Sequence, residues 1–136
     1  MNENYVTDEI AFELKDIGFD KKCTRAIYTG NTALNENQYM ECLPSAAKNF
    51  NAENMCISIP LWQQTVDWFA EKFNIAIDTV SEDCNEADSG ETEIFEWRIR
   101  DWNNIKLYYS DIEYITRYEA RKAAIIKATE IIKNRQ

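Results

Sequence analysis

Two runs of alternating side chains flank one short polar turn, and this pattern constrains the fold more than any other part of the chain. Phe95, Trp97 and Ile99 alternate with Glu96, Arg98 and Arg100; after Trp102-Asn103-Asn104, Ile105, Leu107 and Tyr109 alternate with Lys106 and Tyr108. A period of two is what a strand shows when one face is buried and the other is wet. Asn tolerates the left-handed backbone that a tight turn needs. The segment therefore predicts an antiparallel hairpin whose outward side carries Arg98, Arg100, Lys106 and Tyr108. Upstream, Ile75, Ile77 and Thr79 alternate with Ala76, Asp78 and Val80, so a third strand completes a C-terminal meander. The acidic stretch from Glu82 to Glu91 has no large apolar residue and predicts a solvated loop between these strands.

Three helices are expected. Thr7-Asp8-Glu9 reads as an N-cap with acidic first-turn residues, and Ile10, Leu14 and Ile17 recur at helical spacing before Gly18, predicting a helix over 8–17. Pro60 suits a first helical turn, and Leu61, Trp62, Thr65, Val66, Phe69 and Phe73 follow at three- and four-residue spacings, predicting a helix over 60–73. Thr116-Arg117-Tyr118-Glu119 matches a capping box, and Ala120, Ala124, Ala128 and Ile131 give the following helix, 117–134, an apolar side of small residues.

Cys23 to Tyr28 reads as a short strand ended by Gly30-Asn31, whereas 31–56 is weakly periodic and predicts an irregular connection with room for one more short strand. With 136 residues and 45% hydrophobic content, the chain fits a single domain spanning 1–136. The expected fold is α+β: an antiparallel sheet of about four strands, including the C-terminal three-strand meander, packed in two layers with about three helices.

Composition excludes more chemistry than it suggests. There is no histidine, which removes the commonest general base, the usual Ser and Cys triads, and imidazole metal sites. Gly18, Gly30 and Gly90 stand apart, so no phosphate-cradling loop can form. The acidic stretch fails as a calcium loop: counted from Asp83, Ala87 falls at a ligand position and Asp88 where glycine is needed. A carboxylate pair brought together in space would still support hydrolysis, but the linear order nominates no pair. No catalytic residue, cofactor or metal is expected. Cys23, Cys42, Cys56 and Cys84 are scattered without a chelating pair, and the first residues carry no secretory pattern, so reduced thiols are expected. No run approaches the ~20 apolar residues of a membrane span.

A net charge of −9 disfavours nonspecific attraction to nucleic acid or anionic lipid. Locally, the last helix is basic, with Arg117, Arg121, Lys122, Lys127, Lys133 and Arg135 against Glu119 and Glu130. Arg98, Arg100, Lys106 and Tyr108 on the hairpin, with Arg121 and Lys122 on the helix, form the candidate partner surface. Trp62 and Trp97 fall on core faces; Trp68 and Trp102 are less clearly buried, and although an exposed Trp can anchor a partner, core or turn packing is the expectation for both.

Three segments stand in order along the chain: Leu14-Lys15-Asp16-Ile17-Gly18-Phe19-Asp20 after Asn4-Tyr5-Val6-Thr7, Pro60-Leu61-Trp62-Gln63-Gln64-Thr65-Val66-Asp67-Trp68-Phe69, and Tyr118-Glu119-Ala120-Arg121. In this order the chain resembles a group of uncharacterised small proteins from phages and mobile elements of gut bacteria. The motifs are caps and core residues and bring no functional residue with them. The resemblance implies an origin in such an element and a place in the cytoplasm of a bacterial host. The reading that follows is a non-catalytic accessory protein acting on an unidentified protein partner. Two alternatives stand beside it: a nucleic-acid-associated protein using the basic C-terminal helix, and an acidic mimic of DNA.

Overall fold

The computed structural model describes residues 4–30, 38–84 and 92–135, with only the backbone course given for 82–84 and 92. Two compact units, Met1–Thr65 and Val66–Gln136, divide the chain.

In the first unit, helix α1 (Asp8–Asp16) starts where the Thr7 hydroxyl accepts the Ile10 N–H at 3.3 Å. It ends at Gly18, whose φ of +96° is open to glycine without strain. There the Gly18 N–H donates to the Lys15 carbonyl and the Phe19 N–H to the Leu14 carbonyl, a paired closure that satisfies the last exposed carbonyls. Strands β1 (Arg25–Tyr28), β2 (Gln38–Glu41) and β3 (Cys56–Ser58) form an antiparallel sheet in the order β2-β1-β3. Ile27 sits opposite Tyr39 on one side and Ile57 on the other. Helix α1 packs against β3, burying Ile10, Ala11 and Leu14, and the Lys15 ammonium donates to the Cys56 carbonyl at 2.7 Å. Asn51 ties this layer together: its amide donates to the Phe19 carbonyl at 2.9 Å and its side-chain oxygen accepts the Ser58 N–H at 2.8 Å. The stretch expected to be irregular thus holds β2, two 3-10 turns at Pro44–Ala46 and Phe50–Ala52, and the start of β3, while 31–37 lies outside the described residues.

Helix α2 (Trp62–Phe73) follows Pro60, as the spacing predicts, and the unit boundary falls inside it. In its first turn the Thr65 hydroxyl donates to the Leu61 carbonyl at 3.0 Å. Trp68 is buried, in line with the expected core packing, with its ring edge-on to Phe69 and Phe73 at centroid distances of 5.3 and 5.1 Å.

The second unit contains strands β4 (Ile75–Cys84), β5 (Thr92–Asp101) and β6 (Lys106–Tyr109) and helix α3 (Arg117–Lys133). The strands form the expected antiparallel meander, in the order β4-β5-β6. Helix α3 is capped by the Thr116 hydroxyl, which accepts the Glu119 N–H at 3.1 Å. It lies on β4 and β5, where Ala120, Ala124 and Ala128 allow a close approach over buried Ile77, Trp97 and Ile99. Pairing of β4 with β5 runs into the acidic stretch, as far as Cys84 and Thr92, where a loop is expected to begin at Glu82. Residues 85–91 lie outside the described residues.

The α+β class, the meander and the layering of helix on sheet agree with the sequence. The strands, however, sort into two three-stranded sheets and not into one sheet of about four. Strand β2 and the first residue of β3 come from the stretch of weak periodicity, and both strands pair with β1.

Candidate protein-binding surface

The hairpin between β5 and β6 is set by its loop. Asp101 pairs with Lys106, which leaves four residues, Trp102–Ile105, in the connection. The Asp101 carboxylate accepts the Asn104 backbone N–H at 3.3 Å and its side-chain amide at 2.9 Å, an arrangement that makes the chain turn back on itself. Asn103 reaches the other way: its amide donates to the Phe73 carbonyl at 3.1 Å, and its side-chain oxygen accepts from the Asn74 amide at 3.3 Å. The loop is therefore held on both sides and ends at Ile105, which carries a left-handed φ of +52°.

A three-residue turn at Trp102–Asn104 would have put Ile105, Leu107 and Tyr109 on the buried side. The fourth loop residue moves the register by one, and in a strand a slip of one residue exchanges the two faces. Leu107 sits opposite Arg100 and Tyr109 opposite Arg98, all on the face turned away from α3. Lys106 and Tyr108 share the other face with Asp101 and Ile99. The four hairpin residues expected on a common outward side are thus divided between two faces. Arg121 and Lys122, both half-buried on α3, stand on the helix side of the sheet, across from Arg98 and Arg100. Burial, followed by the neighbouring Arg117 charge, lowers the pKa of Arg121.

The surface that emerges is one the alternation pattern missed. Trp102 is 56% exposed, Ile105 91%, Leu107 48% and Tyr109 57%. Trp102, Ile105 and Leu107 line a concavity of about 330 Å³ together with Arg100, Asp101 and Lys106. Further along, Ile112 and Ile115 are exposed as well. The sequence does place Asp101 three residues before Asn104, and these are the two side chains that close the turn. On the helix side, a second concavity of about 290 Å³ lies between β6 and the end of α3, lined in part by Lys106, Tyr108, Lys127 and Arg135. The Lys127 ammonium sits over the Tyr108 ring, 5.7 Å from its centroid.

The first unit contains polar clusters of another kind. The Arg25 guanidinium lies 5.2 Å from the ring centroids of both Tyr5 and Tyr39 and pairs with Glu41 at 3.1 Å. Tyr39 donates to Asp8, and that bond raises the pKa of its phenol. Burial pushes the Cys23 thiol up to about 12, so it is a packing group and not a nucleophile at neutral pH. Cys23, Cys42 and Cys56 are free thiols. Among the described residues no group of Asp, Glu and Cys is arranged to hold a metal, and no helix is long and apolar enough to cross a membrane.

No family model, curated protein or solved structure matches this chain.

Proposed function

We propose that this chain is a non-catalytic accessory protein that acts by binding another protein, with the β5–β6 hairpin as its docking surface. The observation that carries the reading is Ile105. A β-branched residue held in the left-handed region costs on the order of 1–2 kcal/mol, and a side chain 91% exposed recovers almost none of that through burial. Asn or Gly would serve the turn better. An isoleucine that opposes folding and stands beside exposed Trp102, Leu107 and Tyr109 is accounted for by contact with something else. The cations Arg98, Arg100 and Lys106 around this patch favour a partner with acidic character. The proposed place among phage and mobile-element accessory proteins of a bacterial cytoplasm rests on the sequence resemblance carried by Gly18-Phe19, the Pro60 to Phe69 segment and Tyr118-Glu119-Ala120.

The test is a paired capture from bacterial host lysate, using the protein and a Trp102→Ser, Leu107→Ser, Tyr109→Ser variant shown by circular dichroism to fold. A near-stoichiometric protein held by the parent and lost by the variant is expected. A partner held equally by both, or no partner at all, would refute the reading.

A further inference from the structure

Strand β6 is an edge. Among the described residues it pairs only with β5, and the phase of that pairing decides which backbone groups remain open. The Ser110 N–H donates to the Trp97 carbonyl at 3.0 Å, so Trp97 and Ser110 form a hydrogen-bonded pair. Bonded pairs recur at every second position of an antiparallel ladder, which places Ile99 with Tyr108 and Asp101 with Lys106 in the same class. Leu107 and Tyr109 fall between them, and their N–H and C=O groups point away from β5. Unused strand edges of this kind are templates for another chain.

Both sides of this edge are shaped. Helix α3 packs on β4 and β5, so β6 overhangs the helical layer and leaves the groove of about 290 Å³ beneath it. Lys106, Lys127 and Arg135 border this groove, with Tyr108 in its wall. Above the sheet, Leu107 and Tyr109 present apolar surface beside Arg100 and Arg98. A strand added to β6 would send successive side chains alternately to these two sides.

We infer that β6 takes up an extended segment of a partner protein in which acidic residues alternate with apolar or aromatic ones. This rests on the docking surface argued above and specifies its mode. The acidic side chains enter the groove beside Lys106 and Lys127, and the apolar ones cover Leu107 and Tyr109. Main-chain hydrogen bonds to Leu107 and Tyr109 hold the segment, and the alternation supplies its selectivity. Charge complementarity picks out this occupant over a second copy of β6, which would bring the same cations of two molecules side by side.

The probe is a displayed library of random twelve-residue peptides selected on the full-length protein. Enriched peptides are expected to show Asp or Glu at every second position over four or more residues, with apolar residues between. A synthetic peptide of the enriched sequence should slow amide hydrogen exchange at Leu107 and Tyr109. Lys106→Glu with Lys127→Glu should weaken it at least tenfold. Leu107→Pro, which removes an outward N–H that the sheet does not use, should weaken it similarly, and the charge-reversal pair keeps the test sound if that proline variant fails to fold. Peptides that enrich without alternation and leave the two amides unprotected would overturn strand addition, yet the lysate capture could still succeed on the hairpin surface. Absence of any enrichment overturns the inference, and the capture experiment alone then decides the broader reading.

Discussion

The carboxylate of Asp101, only 1% exposed, is ion-paired with the guanidinium of Arg135 just beyond the end of α3. The same carboxylate accepts both donors of Asn104, so one acidic side chain joins the helix end to the hairpin loop. A buried charge is tolerated only while its partners stay in place.

Arg135→Ala should therefore destabilise the second unit by about 2–4 kcal/mol, because it strands a buried carboxylate, with the partial exposure of Arg135 favouring the lower figure. Arg135→Lys should recover part of the loss. Urea unfolding at neutral pH measures both, and a change within ~0.5 kcal/mol for Arg135→Ala, the usual range for surface substitutions, would show that the pair contributes nothing.

At Ile105 the expected sign is reversed. Ile105→Asn should stabilise the protein by about 1 kcal/mol, since Asn accepts the left-handed backbone and almost no buried surface is lost. The shift in the urea midpoint checks this. The same substitution should weaken the captured partner, so stability and binding are expected to move in opposite directions.

Alkaline pH should act through Cys23. Its folded-state pKa is raised from 9.0 to about 12 because burial disfavours the thiolate. Below pH 9 the thiol is neutral in both states, so its contribution is fully present there. As pH rises from 9 toward about 12 the unfolded chain ionises first, and stability should fall by up to about 1.4 kcal/mol per unit from this group. Cys23→Ala should flatten that part of the stability profile. In the native protein, alkylation at pH 8 should reach partly exposed Cys42 before buried Cys23 and Cys56.

What could be read from the chain was decided by neighbours a few residues apart. Thr7 and Thr116 cap helices by reaching amides three positions on, and Gly18 ends α1 through its own backbone freedom. The α+β class and the meander followed from such periods and caps. Strand β3 was harder, because Cys56, Ile57 and Ser58 are all buried and show no alternation, and their partner β1 lies about thirty residues upstream. The candidate surface was half legible. Alternation alone puts Arg98 and Arg100 on one face, but the side on which Lys106 and Tyr108 stand depends on whether the turn holds three residues or four. That count is settled by Asp101 closing on Asn104 and by Asn103 reaching Phe73, contacts that no alternation reports.

The four-residue connection between Asp101 and Lys106 also governs how such a protein can diversify. Gain or loss of a single residue there exchanges the set of side chains β6 offers to the outside with the set it turns toward the helix, without altering any residue of the strand. Gain or loss of two keeps the assignment and changes only the reach of the tip. Length change by odd steps at this one bend thus swaps the face β6 offers, and by even steps keeps it, with no substitution on the strand itself.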